Sequence, residues 1–236
     1  MRKKKRSGRP PAMNRSALLY LRTANGMSQK ELATKVGLKP MDISRFEHGF
    51  RGLALPKAMA LAQCFGVSCT ALLRNDFTEI FSRMKQPIQT NVAARERQQR
   101  RQDGRSKAGY EGEDWVYQSE LDKLSGTPYA YAINPNYAGE ERAGFDILSF
   151  TEAGEWIYIE VKASKGGMNE PFYMSAAEYL FLENCLRDGV RYELHRVCFV
   201  NDPVNRERII YSARDVLEKF DCQISNYQFT PKKEVA

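Results

Sequence analysis

Histidine is scarce, with only His48 and His195 in 236 residues, and the five cysteines (Cys64, Cys69, Cys185, Cys198 and Cys222) form no Cys-x-x-Cys pair. A structural zinc needs closely spaced nitrogen and sulfur ligands, so zinc is not expected and the thiols should be reduced. Long apolar runs are missing too. The start Met1-Arg-Lys-Lys-Lys-Arg6 has the charge of a signal-peptide n-region, yet Ser7-Gly-Arg-Pro-Pro11 stands where an apolar stretch would have to follow. No later run could span a bilayer, which predicts a cytoplasmic chain without membrane contact. Internal repeats and organic-cofactor motifs are absent as well.

The charge that is present is unevenly placed. Residues 1–108 carry 23 Lys+Arg against 7 Asp+Glu, whereas 109–236 carry 13 against 22, within a total of +7. A basic front half seeks a polyanion, and nucleic acid is the obvious one. At 42% hydrophobic content the chain is long enough for two compact domains. The composition divides it into a flexible basic arm (1–13), a compact helical domain (14–75), a polar linker (76–108) and a mixed α/β domain (109–236). The linker is rich in Arg and Gln from Arg95 to Lys107, and Gly104 and Gly109 suggest a break before the second domain.

In the stretch Met27-Ser-Gln-Lys-Glu-Leu-Ala-Thr-Lys-Val-Gly37, Ser28 can N-cap a helix whose Glu31 completes a capping box, and Gly37 can end it. A second helix starts almost at once. Pro40 suits its first turn, Ile43 and Phe46 share its inner face, and Met41, Asp42, Ser44 and Arg45 point outward. Two short helices across so tight a turn predict a helix-turn-helix.

Ser28-Gln29, Leu32-Ala33, Gly37, Ile43-Ser44-Arg45, Glu47 and Gly49 place this segment close to the Cro/repressor (Xre-type) family, which it resembles over residues 14–75. The apolar positions from Pro56 to Leu73 are similar to that family's two closing helices, giving a bundle of about five helices. The resemblance implies that helix Pro40–His48 enters the major groove of double-stranded DNA. Met41, Ser44 and Arg45 then face base edges, Gln29 and Lys39 meet phosphates or neighbouring bases, and two copies bind a palindrome as a homodimer. Pro40 and Met41 stand where the family often carries polar base readers, which favours apolar contact with a thymine methyl. In the arm, Gly8-Arg9-Pro10 resembles the core of an AT-hook, while a tail neutralising phosphates without preference accounts for the same residues.

In the acidic half, Gly144-Phe-Asp-Ile-Leu-Ser-Phe150 and Trp156-Ile-Tyr-Ile-Glu-Val-Lys162 are β-prone runs separated by Thr151-Glu-Ala-Gly-Glu155, the pattern of a β-hairpin. With Phe150 opposite Trp156, Asp146 falls opposite Glu160, and period two puts Lys162 on their face; Ile157, Ile159 and Val161 face the other way. Opposed carboxylates repel unless a cation is shared between them. Mg²⁺ (Mn²⁺ in its place) is such a cation, able to stabilise charge on a phosphate and to lower the pKa of an attacking water, with Lys162 steadying water or phosphate.

Asp146, then thirteen intervening residues, then Glu160-Val161-Lys162 resembles the PD-(D/E)xK nuclease superfamily, with Gly144-Phe145 in place of the proline of its signature. The residues Gly109, Gly112-Glu113, Val116, Gly144 to Ile147, Ile159 to Lys162, Phe172, Ser175 and Glu178 are similar to the NO VEIN C-terminal domain family over about residues 109–200. The resemblance implies an α/β restriction-endonuclease-like domain with a central mixed sheet. It also implies a catalytic set of Asp146, Glu160 and Lys162, with Glu113 from the opening helix as third metal ligand beside Asp146 and Glu160. Glu120, seven residues on and on the same helical face, reads as solvated. Ser175 and Glu178 read first as a capping box with Glu178 in reserve, and His195 as structural. Two functions follow: a DNA-targeted, Mg²⁺-dependent endonuclease acting in restriction or defence, or a transcription regulator whose nuclease-like domain dimerises or senses.

Overall fold

Serine caps start most of the helices. Ser16 Oγ accepts from the Leu19 N–H at the head of α1 (Ala17–Ala24). Ser28 and Glu31 form the expected reciprocal box at the head of α2 (Gln29–Val36), which Gly37 ends in the left-handed region. Pro40 occupies the first turn of α3 (Pro40–Glu47), and α4 (Leu55–Phe65) and α5 (Cys69–Arg74) close the bundle. Leu18, Leu32, Ile43, Leu61 and Leu72 are fully buried between these five helices. The computed structural model describes residues 16–49, 54–89, 107–137 and 144–222; the basic arm with Gly8-Arg9-Pro10, and linker residues 90–106, lie outside the described residues.

Helix α1 is covered on every side, each residue from Ala17 to Thr23 being buried. An isolated bundle would leave one flank of a terminal helix in water. Here the second half of the chain covers it. Tyr20 sits against Phe77, Phe81 and Tyr137, and its hydroxyl donates to the Ala132 carbonyl at 2.8 Å. Asn134 Nδ2 donates to Thr23 Oγ1 at 3.0 Å. Two folding units therefore share one hydrophobic core.

The segment read from the sequence as the start of a polar linker is folded between them. Asp76 accepts from the N–H groups of Thr78 and Glu79 and starts α6 (Phe77–Ser82). Phe77 packs edge-on against Trp156 at 4.9 Å and Phe81 against Phe150 at 5.2 Å. Ile88 is buried, and its carbonyl accepts from Tyr117 Oη at 2.6 Å. Two aromatic residues one turn apart outweigh the polar average of the stretch, since each brings a large apolar area to the core. Nor does the chain break at Gly109, because α7 (Lys107–Lys123) runs through it.

The second unit is a four-stranded mixed sheet in the order β1-β2-β3-β4. Strands β1 (Ile147–Phe150) and β2 (Trp156–Ala163) form the predicted hairpin in the predicted register, with Phe150 opposite Trp156 and Ile147 opposite Ile159. Helix α8 (Ala176–Asp188) then crosses to β3 (Tyr192–Cys198), parallel to β2; β4 (Glu207–Ser212) returns antiparallel and leads into α9 (Ala213–Lys219). Helix α7 covers the face of Ile157, Ile159 and Val161. It approaches so closely that a Cβ at Gly112 would fall 2.4 Å from Ala163 Cβ. Helix α8 covers the other face, with Phe181 against Phe145 and Tyr158. Among the described residues no helix is long and apolar enough to cross a membrane.

Candidate functional site: a carboxylate and lysine cluster beside a helix-turn-helix

The hairpin brings Asp146, Glu160 and Lys162 together on the face toward α8. Asp146 closes the end of β1: its N–H donates to the Ile159 carbonyl at 2.8 Å, and its Oδ2 accepts from the Val161 N–H at 2.9 Å. Gly144 before it has φ +77°, and a Cβ there would meet Phe181 Cβ at 2.4 Å. Glu160 is 1% exposed, and Lys162 Nζ lies 2.5 Å from its Oε1 and 2.6 Å from Glu178 Oε2.

The electrostatics follow from that crowding. Burial first, then the Asp146 charge, push the Glu160 carboxyl well above the usual carboxylate range, against the pull of Lys162. Burial alone would lower Lys162, but the Glu160 and Glu178 carboxylates outweigh it and raise its pKa. Burial likewise pushes Glu178 up, and Lys162 with the Ser175 cap brings it below its ordinary value. The repulsion foreseen between Asp146 and Glu160 is therefore answered within the chain by Lys162 and the Val161 amide. Glu178 makes its capping box with Ser175 and pairs with Lys162 as well.

Two groups on β3 that the sequence reading did not single out border this cluster. Tyr192 is buried with its hydroxyl unpartnered, and burial, then Glu160, Glu178 and Asp146, push its phenol above the usual range. Arg196, 2% exposed, stands beside Lys162 in the parallel register; its guanidinium lies over the Phe172 ring at 4.7 Å and donates to the Glu170 carbonyl at 2.9 Å. Period two along Tyr192–Val200 marks both, once β2 is known to pair in parallel with β3.

Glu113 is placed differently. It is buried on α7, the helix of the opposite sheet face, and no three His, Cys, Asp or Glu side chains among the described residues gather as a metal-holding group. Glu120 is buried, not solvated: it accepts from Ser149 Oγ at 2.6 Å and pairs with Lys123. His195 is fully buried on the α7 side, its Nε2 3.1 Å from Glu193 Oε2.

On the helix-turn-helix, Lys39 caps α3 with its side chain exposed, Met41 is 58% exposed, and Arg45 is exposed one turn beyond it. Ser44 is half-buried, its carbonyl 2.7 Å from His48 Nδ1. Gln29 is turned inward instead. Its Nε2 donates at 2.8 Å to Glu47 Oε2, and Glu47 is fully buried against Arg22, whose Nε is 2.6 Å away. That network locks the start of α2 to the end of α3, so the side chain of Gln29 positions the reading helix.

Comparison with known families agrees with this division. Residues 18–72 match the family model described as Helix-turn-helix, and residues 112–210 match that of Protein NO VEIN, C-terminal. The Xre-type and NO VEIN resemblances drawn from the sequence are met by these matches. Neither the curated proteins nor the solved structures yield a match. The first unit is a helix-turn-helix, which supports DNA binding.

Proposed function

We propose that the chain is a DNA-targeted phosphodiesterase: the helix-turn-helix holds a duplex, as a homodimer on a palindrome, while the acidic unit hydrolyses a backbone bond with Mg²⁺ or Mn²⁺. The observation that carries this reading is the convergence of Asp146, Glu160 and Lys162 on one face of the hairpin, around the buried Glu160 carboxyl. The donors suit a hard divalent cation, because Mg²⁺ is commonly held by one or two carboxylates and completes its shell with water and substrate phosphate. Asp146 and Glu160 would hold it, and their mutual repulsion is what a cation there relieves. Bound so, the metal supplies charge neutralisation for the phosphodiester and acidifies a water.

The chain's own residues do the rest. Glu160 and Asp146 present carboxyl oxygens at the open end of the hairpin. Lys162, kept charged by its two carboxylates, offers N–H donors to a phosphate oxygen or to the water, and Glu178 fixes where its ammonium stands. Gln29 and Glu47 hold the reading helix while Lys39, Met41, Ser44 and Arg45 meet the duplex. The test is cleavage of plasmid and linear DNA with Mg²⁺ or Mn²⁺, beside Glu160→Ala and an EDTA control. Cuts that vanish in both controls are the expected result.

A second reading is a transcription regulator without catalysis. Lys162 already bridges Glu160 and Glu178 as an internal counter-charge, which a site kept only for its fold would also have. Intact DNA that the protein nonetheless shifts on a gel would select this reading.

A further inference from the structure

A buried cation without a carboxylate is the mirror image of the opposed acids across the strand. Desolvating a guanidinium is costly unless an anion or a full set of acceptors compensates it. In the second unit Arg187 and Arg191 meet Asp188 and Glu193, and Lys162 has two carboxylates. Among the described residues Arg196 meets none, nor do the half-buried Arg206 and Arg208 beside Trp115, and Arg196 is the most deeply buried of these cations. It has one carbonyl bond, to Glu170, and the face of Phe172. Those two contacts fix the plane of the guanidinium and leave donors of its fork unspent.

Its position gives the orphan charge a purpose. Arg196 and Lys162 are register partners on β3 and β2, about 5 Å apart along the sheet, with side chains on the same face. Both run beneath the segment that joins β2 to α8: Arg196 reaches Glu170 and Phe172 in it, and Lys162 reaches Glu178 just beyond. Two cations with different commitments stand side by side. Lys162 is neutralised in place, whereas Arg196 keeps donors of a fork that matches two oxygens of one phosphate.

We infer that Arg196 is a phosphate-binding residue that receives a nonbridging oxygen pair of a nucleic-acid phosphodiester beside Lys162. The inference rests on the phosphodiesterase reading and names the group that seats its substrate. Arg196 supplies the bidentate contact and sets the phosphate's orientation; Phe172 stacks on the guanidinium and keeps it planar to the incoming anion. Lysine in its place would keep the charge and lose the fork.

Two measurements on the full chain separate this inference from the reading beneath it. The first is ³¹P line broadening of inorganic phosphate by the metal-free protein, with Arg45→Ala included to discount the helix-turn-helix. Saturable broadening is expected in the wild type and in Arg45→Ala, weakened in Arg196→Lys and lost in Arg196→Met. The second is DNA cleavage with Mn²⁺, where Arg196→Met should lower kcat/KM about 10- to 100-fold, with gel-shift affinity unchanged. If Arg196→Met does not fold, Arg196→Lys decides, a several-fold loss being expected. Loss of phosphate binding in a protein whose wild type does not cut DNA upholds the anion site and removes hydrolysis. Phosphate binding and cleavage equal to wild type in both Arg196 variants overturn the inference and leave the phosphodiesterase standing.

Discussion

The hydroxyl of Tyr20, in the first helix of the helix-turn-helix unit, donates to the carbonyl of Ala132 in the mixed-sheet unit at 2.8 Å. Around that bond the Tyr20 ring touches Phe77, Phe81 and Tyr137, so one side chain belongs to the core of both units. The two units should melt together. Calorimetry of the wild type is expected to show one transition. Tyr20→Phe should cost about 1–2 kcal/mol by leaving the Ala132 carbonyl unpaired, and Tyr20→Ala about 3–5 kcal/mol by opening a cavity. Two separate transitions in the wild type would show that this shared core does not couple them.

Gln29 and Arg45 should separate stability from recognition. Gln29 donates to buried Glu47, so Gln29→Ala is expected to cost about 1–2 kcal/mol of stability, and DNA affinity should fall with it as α3 loosens. Arg45→Ala, on an exposed side chain, should abolish specific binding on a gel while the melting temperature stays within a degree or two, since surface substitutions rarely matter. Removing Arg22 leaves Glu47 buried and uncompensated, and Arg22→Met should cost about 3–5 kcal/mol by chemical denaturation.

The hairpin register was legible in the sequence because period-two alternation and a short turn leave one pairing that puts every large apolar residue inside. Counting from Phe150 and Trp156 was enough to set Asp146 against Glu160. The capping boxes at Ser28 and Ser175 were legible for the same reason: their physics is local. What a residue meets across the fold was not. Helix α6 is short and its neighbours are polar, so the reason it folds lies in Phe150 and Trp156, some seventy residues away. Glu113 shares a helix with a glycine packed on Ala163, and no local pattern says which sheet face that helix covers. Tyr192 and Arg196 reach the site through the β2–β3 crossover, whose register no local pattern sets.

Gly112 tests how tightly α7 is seated. A methyl group there would lie 2.4 Å from Ala163 Cβ and 3.6 Å from Val161 Cγ1, so helix or strand must shift. Gly112→Ala would raise helix propensity by about 1 kcal/mol at an open position. Here overpacking should win, with a net loss of about 1–3 kcal/mol in chemical denaturation and weaker cleavage if β2 moves. A gain in stability would mean that α7 and β2 stand further apart.

Glu160 carries the prediction on pH. Its folded pKa is raised above the ordinary 4.5, mainly by burial and by Asp146, so the folded chain keeps a proton where the unfolded chain has lost it. The stability this contributes is fully present below about pH 4.5 and is lost as pH rises through the folded value. Glu178 has the opposite sign: its pKa is lowered, mainly by Lys162 working against burial, so its contribution is present above its unfolded value and fades as pH falls through the folded one. Glu160→Gln removes the first effect and leaves the second. Without metal, that variant should be more stable than wild type near neutral pH, on the order of 1–2 kcal/mol, and the gap should close as pH falls toward about 4.5. Saturating Mg²⁺ should reverse the order, because a cation held by Asp146 and Glu160 stabilises only the wild type. A gap that is the same at every pH, with or without Mg²⁺, would mean that Glu160 neither takes up the proton nor holds the metal.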